Sequence, residues 1–171
     1  MGALTGSNCT ICIIDTGFLV SHEDLQGISV TGYNVNLPWN QDGDGHSTHV
    51  ASTIAAINNH LCVIRVTPST VNLYIVCFFD NSGTWGYSSD LMIAADCCTS
   101  AGTNIISMSL GGSYKSATKE AAFERLNDQG IFSIAAAGND GKGAFFYPFH
   151  RPSYLVGYFS NYCYEARLTK C

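Results

Sequence analysis

The sequence predicts an α/β fold in which a mostly parallel, doubly wound sheet lies between two layers of helices. The apolar runs are short, continuous and rich in β-branched residues, which is typical of strands buried on both faces. Segments of helical composition separate these runs, so strand and helix alternate along the chain. With 171 residues, 46% of them apolar, the chain is long enough for one domain and too short for two.

The elements follow in a regular order. Three segments are predicted helices: 46–57 is rich in alanine with an apolar stripe, 88–102 ends on Gly102, and 116–130 ends on Gly130. Glycine is favoured directly after a helix because it adopts the left-handed conformation without strain. The predicted strands are 9–15 (CTICIID), 71–79 (VNLYIVCFF), 104–110 (NIISMSL), 131–137 (IFSIAAA) and 154–159 (YLVGYF).

Composition argues against several classes of function. The net charge is -5 and no basic patch is present, so we expect no nucleic-acid partner. No apolar run reaches the length of a membrane span, and the first residues show no signal-peptide pattern. We therefore expect no membrane association, and the sequence leaves the cellular compartment open.

The eight cysteines are scattered along the chain. Cys9 and Cys12 have the spacing of a metal-binding pair, but they lie in a predicted strand. Residues three apart on a strand point to opposite faces, so this pair cannot share a metal. Cys163 and Cys171, in the polar tail, are a candidate disulfide if the compartment is oxidising.

Polar residues with catalytic chemistry stand at the ends of the predicted elements. Asp15 follows the first strand, His46 begins the first helix, and Asn139 follows the fourth strand. In doubly wound sheets such residues converge at the carboxyl ends of the strands. A carboxylate there can fix the histidine tautomer and leave Nε2 free as a base, while an asparagine can donate to an oxyanion. We predict that Asp15 lies on a central strand and hydrogen-bonds His46.

Four motifs resemble those of the subtilisin-like serine proteases (subtilases, peptidase S8 type), and the resemblance runs from about residue 4 to residue 160. DTG (15–17) resembles the catalytic Asp motif, and GHSTHVAS (45–52) resembles the His motif, normally Gly-His-Gly-Thr-His-Val-Ala-Gly. SMSLGG (107–112) resembles the substrate-binding strand, and AAAGN (135–139) the oxyanion-hole segment. The resemblance implies a serine endopeptidase with an Asp-His-Ser triad.

The resemblance also implies a role for each matching residue. Asp15 would orient the imidazole, His46 would be the general base and Asn139 would line the oxyanion hole, whereas His49 would be structural. The segment 109–111 would pair with an extended peptide or protein substrate by strand addition. We expect a monomer that needs no cofactor for catalysis. The residues expected to contact substrate are Ser109, Leu110, Gly111, Ala136, Gly138, Trp85 and Tyr87, the last two being equally open to interpretation as loop anchors.

The match to the family breaks at the nucleophile. The family's Gly-Thr-Ser-Met-Ala motif is absent from these 171 residues, in which only Ser153 and Ser160 follow Asn139. We expect residues 1–160 to form a partial subtilase catalytic domain without its C-terminal third, and residues 161–171 to be a divergent tail. Three interpretations stay open: an incomplete serine endopeptidase, an inactive peptide-binding module, or a non-functional truncated product.

Two further patterns concern metal binding. His46 and His49 lack a third zinc ligand in a recognisable motif. Asp24 and Asn59 match two side-chain ligands of a structural calcium site in the family. The N-terminal arm that supplies another ligand there is missing from this sequence, and Cys62 replaces a glycine of the calcium loop. Calcium at Asp24 and Asn59 is therefore an expectation from the resemblance alone.

Overall fold

The structure, a computed structural model, describes residues 9–35, 37–79, 88–111, 116–136 and 156–157. In these ranges the strands form one parallel sheet with the order β2-β3-β1-β4-β5-β6. A short 3-10 turn, Glu23–Leu25, precedes β2. The elements are β1 (Thr10–Asp15), β2 (Val30–Asn34), α1 (His46–Ala55), β3 (Asn72–Cys77), α2 (Ser88–Ser100), β4 (Ile105–Met108), α3 (Ala117–Asp128), β5 (Phe132–Ala136) and β6 (Val156–Gly157).

The sheet is doubly wound, as the sequence predicts. From β1 the chain builds one half of the sheet with β2 and β3, and then crosses to build the other half with β4, β5 and β6. Right-handed crossovers that run in opposite directions place their helices on opposite faces of a sheet. The winding direction changes between β1 and β4, where ligands bind in folds of this class.

Two apolar layers hold the helices to the sheet. Strand β1 contributes to both layers, because alternate residues point to opposite faces and all of Ile11–Ile14 are buried. On one side α1 packs through alanines, which let the helix lie close to the strands. The layer under α1 includes Ile11, Ile13, Ala51, Ala55, Leu73 and Ile75, and the opposite layer includes Cys12, Ile14, Val76, Leu91, Cys98, Ile106, Met108, Phe123 and Leu126.

Strand β2 was missed by sequence reasoning. Its sequence, VTGYN, is short and partly exposed because the strand lies at the edge of the sheet. It therefore lacks the continuous apolar run by which the other strands were predicted. Gly32 is required in this strand, since a Cβ would collide with the ring of Trp39 and the carbonyl of Ile75.

A buried disulfide joins β1 to α2. Cys12 and Cys98 are bonded across 86 positions of sequence, with their Cα atoms 5.7 Å apart. Cys9 lies in the opposite apolar layer from Cys12, which confirms that the two cysteines of the CxxC spacing do not face each other. The proposed partners Cys163 and Cys171 lie outside the described residues. No helix in the described part of the chain is long and apolar enough to span a membrane.

We predict that Cys98→Ala lowers the free energy of unfolding by about 2–5 kcal/mol under oxidising conditions, because the unfolded chain loses a long closed loop. Cys97→Ala, which removes the adjacent free thiol, should cost clearly less. Urea unfolding monitored by circular dichroism, with and without reductant, measures both losses. Equal stabilities of the two variants would show that the cross-link does not stabilise the fold.

Candidate active site

Asp15 ends the central strand with a buried carboxylate. The residue is 1% exposed, and its Oδ1 atom accepts a hydrogen bond from the backbone N–H of Thr16 at 2.8 Å. The Nδ1 atom of His46 lies 2.8 Å from Oδ1 and 3.0 Å from Oδ2 of this carboxylate. The hydrogen bond predicted from the two sequence motifs is therefore present in the fold.

His46 is the first residue of α1, and its side chain remains 47% exposed. Because a carboxylate only accepts hydrogen bonds, the contact with Asp15 selects the tautomer with hydrogen on Nδ1. Within the described residues Nε2 has no hydrogen-bond partner, so the lone pair of this nitrogen is available. The pair can thus act as an oriented base.

Acidic neighbours make this imidazole more basic. The hydrogen bond to Asp15 raises the pKa of His46 above its ordinary value of 6.5, and partial burial opposes this effect. The negative charges of Asp15, Asp44 and Asp42 raise the pKa further. Because the folded-state pKa is raised, the pair stabilises the fold fully below pH 6.5, and this contribution is lost as the pH rises through the folded-state pKa.

Helix α1 begins without a cap from its own N-cap residue. Gly45 adopts a left-handed conformation with φ of 88° and provides no side-chain hydrogen bond. Instead, Asp42 accepts hydrogen bonds from the backbone N–H groups of Gly45 and Thr48, each at 2.9 Å. Sequence reasoning assigned no role to Asp42. An acidic residue just before a helix is a capping signal, and that signal could have identified Asp42.

Cys77 is the described thiol nearest in the sheet to the Asp15–His46 pair. It lies opposite Asp15 in the β1–β3 register, and its Sγ atom donates to the Thr16 carbonyl at 3.3 Å. Burial raises the pKa of the Cys77 thiol, which disfavours the thiolate required of a nucleophile. Cys77 therefore supports the loop after β1 and does not supply a nucleophile.

The expected peptide-binding segment follows β4. Since Met108 of β4 pairs with Ala135 of β5, Ser109 directly follows β4 and Ala136 ends β5 at the same edge of the sheet as Asp15. Leu110 is only 6% exposed and packs into the core, while Gly111 is exposed. The remaining expected substrate contacts, Trp85, Tyr87 and Gly138, and the expected oxyanion residue Asn139 lie outside the described residues.

Asp24 is fully buried beside the loop that follows α1. Its Oδ2 atom accepts the backbone N–H of Val63 at 3.1 Å, while Oδ1 has no hydrogen-bond partner in the described residues. Asn59 is half-buried: its Oδ1 atom accepts the N–H of Leu61 at 2.9 Å, and its Nδ2 atom donates to the Glu23 carbonyl at 3.4 Å. Cys62 has a positive φ of 34°, as expected where it replaces a glycine. Within the described residues Asp24 thus has one carboxylate oxygen that could bind a cation, whereas the side chain of Asn59 bonds both Leu61 and the Glu23 carbonyl.

The fold and the site together define the class of protein. It is an α/β protein in which a strand-end carboxylate orients an imidazole base at the point where the winding of the sheet reverses. The subtilase family profile matches residues 6–163, and the chain belongs to this family.

Several known proteins are similar to this chain. Subtilisin DY of Bacillus licheniformis is 38% identical over 136 residues, which cover 80% of this chain and 49% of that protein. Subtilisin Savinase of Lederbergia lenta is 38% identical over 145 residues, covering 85% and 53%. The psychrophilic subtilisin-like protease Apa1 from the Antarctic psychrotroph Pseudoalteromonas sp. AS-11 superimposes with a TM-score of 0.75 at 46% identity, covering 82% and 33%. The chain thus spans about half the length of the curated relatives it matches.

We predict that Asp15→Asn lowers the pKa of His46, because the hydrogen bond to the carboxylate is the largest cause of the upward shift. An NMR titration of the His46 ring protons measures the change. The control is Asp128→Asn, which removes an exposed carboxylate from the end of α3 and should leave the His46 curve in place. An unchanged titration in Asp15→Asn would contradict the assigned contact.

Proposed function

We propose that the protein is a serine-type endopeptidase in which Asp15 and His46 are two members of an Asp-His-Ser triad. The observation that supports this most directly is the 2.8 Å contact between His46 Nδ1 and Asp15 Oδ1 in a chain of the subtilase family. The nucleophilic serine would come from a Gly-Thr-Ser segment, which these 171 residues do not contain.

The chemistry follows from which imidazole nitrogen is free. His46 Nε2 would accept the proton of the serine hydroxyl while the serine oxygen attacks the peptide carbonyl. Asp15 would stabilise the imidazolium that forms, and Nε2 would then return the proton to the leaving amine. The raised pKa of His46 keeps the base protonated to a higher pH, so activity should increase as the pH passes above that pKa.

The proposed substrates are peptides or proteins bound in an extended conformation. The backbone of Ser109, Leu110 and Gly111 would pair with the peptide as an added strand, and backbone hydrogen bonds would supply affinity independent of sequence. Because the side chain of Leu110 is buried, selectivity must come from other walls of the groove. We assign that role to Trp85 and Tyr87, as the family resemblance implies, and Asn139 would donate to the oxyanion.

We further propose that Asp24 binds a structural calcium ion. Its fully buried Oδ1 atom has no hydrogen-bond partner in the described residues, which supports this assignment, because such an oxygen carries a desolvation cost that a cation would offset. Asn59 would have to turn its carbonyl oxygen away from the N–H of Leu61 to join the site. The ion would stabilise the loop and take no part in peptide cleavage.

We predict that the 171-residue chain alone does not react with a fluorophosphonate probe, because it supplies no activated hydroxyl. Fusion to a family-type C-terminal segment that carries Gly-Thr-Ser should restore labelling if Asp15 and His46 are correctly placed. His46→Ala should abolish the restored labelling, whereas His49→Ala, on the same helix, should leave it if the fused chain folds. Labelling of the unextended chain at Ser153 or Ser160 would refute this assignment.

We predict that calcium stabilises the chain through Asp24. At a hundredfold excess over Kd the thermal midpoint should rise by roughly 5–10 °C, as measured by calorimetry. The increase should disappear in Asp24→Asn and persist in Asp128→Asn, which removes an exposed carboxylate elsewhere. An equal response of the two variants would mean that any calcium effect arises at another place on the chain.

A further inference from the structure

We propose that Asp42 is a positioning residue for the reaction. Its carboxylate caps α1 from outside the helix and ties that helix to the loop after β1, which holds the imidazole of His46 against Asp15. Its importance for catalysis rests on the proposed function. The geometry that it controls can be measured without any catalytic activity.

Helix α1 receives no cap from the side chain of its own N-cap residue. The first backbone N–H groups of a helix have no partner inside the helix and require an outside acceptor. Gly45 has no side chain to serve them. Asp42 takes this role: Oδ1 accepts from the N–H of Gly45, and Oδ2 accepts from both the N–H and the hydroxyl of Thr48. A carboxylate is also favoured at a helix N-terminus by the helix dipole.

Asp42 also links α1 to the loop after β1. Oδ1 of Asp42 also accepts the hydroxyl of Thr16 at 2.8 Å, and that hydroxyl in turn accepts the N–H of Ser47 at 3.1 Å. The hydroxyl of Thr48 accepts the N–H of Leu19 at 3.0 Å. The capping carboxylate is therefore shared between the first turn of α1 and residues 16–19.

The backbone allows the two loops to approach this closely. Gly17 has φ of 124°, and a Cβ at this position would collide with the carbonyl oxygen of Gln41. The same carbonyl accepts the N–H of Phe18 at 3.2 Å. The residue before Asp42 is thus bonded to the loop after Asp15, which fixes Asp42 beside Thr16.

Both ends of this bridge lie next to the proposed catalytic pair. Thr16 directly follows Asp15, and Ser47 directly follows His46. Loss of the bridge therefore frees both residues of the pair to move. An asparagine at position 42 cannot replace the carboxylate, because its NH₂ group would meet a donor on one side whichever way the amide is turned.

Asp44 offers a matched control for charge. It lies two residues from Asp42 on the same loop, it is exposed, and no hydrogen bond is found for it in the part of the chain that the structure describes. The carboxylates of Asp15, Asp44 and Asp42 all raise the pKa of His46. Asp42→Asn and Asp44→Asn each remove one negative charge, so any larger effect of the former reflects its hydrogen bonds.

The test is proton NMR of the 171-residue chain. In the parent chain the Nδ1 proton of His46 should give a downfield resonance from its bond to Asp15. In Asp42→Asn this resonance should shift upfield or be lost to exchange with water, and the pKa of His46 should fall more than in Asp44→Asn. Equal behaviour of the two variants, with Asp42→Asn folded by circular dichroism, would overturn the proposal.

A second variant decides the question if Asp42→Asn does not fold. Thr16→Val removes the hydroxyl bridge to Ser47 without changing charge and nearly without changing volume. It should weaken the downfield resonance of His46 while α1 remains formed, and an unchanged resonance would contradict the proposal.

The kinetic consequence can be measured in the fusion that carries the Gly-Thr-Ser segment. In that enzyme Asp42→Asn should lower kcat more than it raises KM. If the unsubstituted fusion does not react with the fluorophosphonate probe, the proposed function is refuted, and the NMR result on Asp42 is unaffected.

Discussion

The hydrogen bond between Asp15 and His46 joins two segments that are 31 residues apart in sequence. A carboxylate buried at the end of the central strand would be costly without partners, so the strand can end there only if donors are supplied. The imidazole of His46 and the N–H of Thr16 are those donors. This requirement places the first residue of α1 beside the last residue of β1. The intervening segment 16–45 must therefore bring the chain back to the end of β1.

Rigid neighbours make this geometry precise. Strand β1 is paired on both sides, is covered on both faces, and is joined to α2 by the Cys12–Cys98 disulfide. A site whose supporting elements are locked by packing keeps its reacting groups in the required positions. The side chain of His46 is 47% exposed, so part of the imidazole remains open to solvent in this rigid setting.

One departure from the family motif lies directly beside this pair. Ser47 occupies a position that is glycine in the family motif, and its hydroxyl is buried without a partner in the described residues. An unpaired buried hydroxyl costs about 1–3 kcal/mol, so this substitution lowers the stability of the first turn of α1. Ser52, at the second such position, returns its hydroxyl to the Thr48 carbonyl at 3.0 Å and avoids that cost.

The sequence by itself determined the α/β class, the buried strands and the choice of Asp15 and His46 as candidate site residues, because these depend on local patterns. Continuous apolar runs and strand-end polar residues can be recognised without knowing which segments meet. The edge strand β2, the pairing of Cys12 with Cys98, and the shared contacts of Asp42 with Thr16 and Thr48 were decided only by the tertiary structure. Each depends on the approach of segments distant in sequence, and no motif in this sequence specified the partners of Cys12 or Asp42.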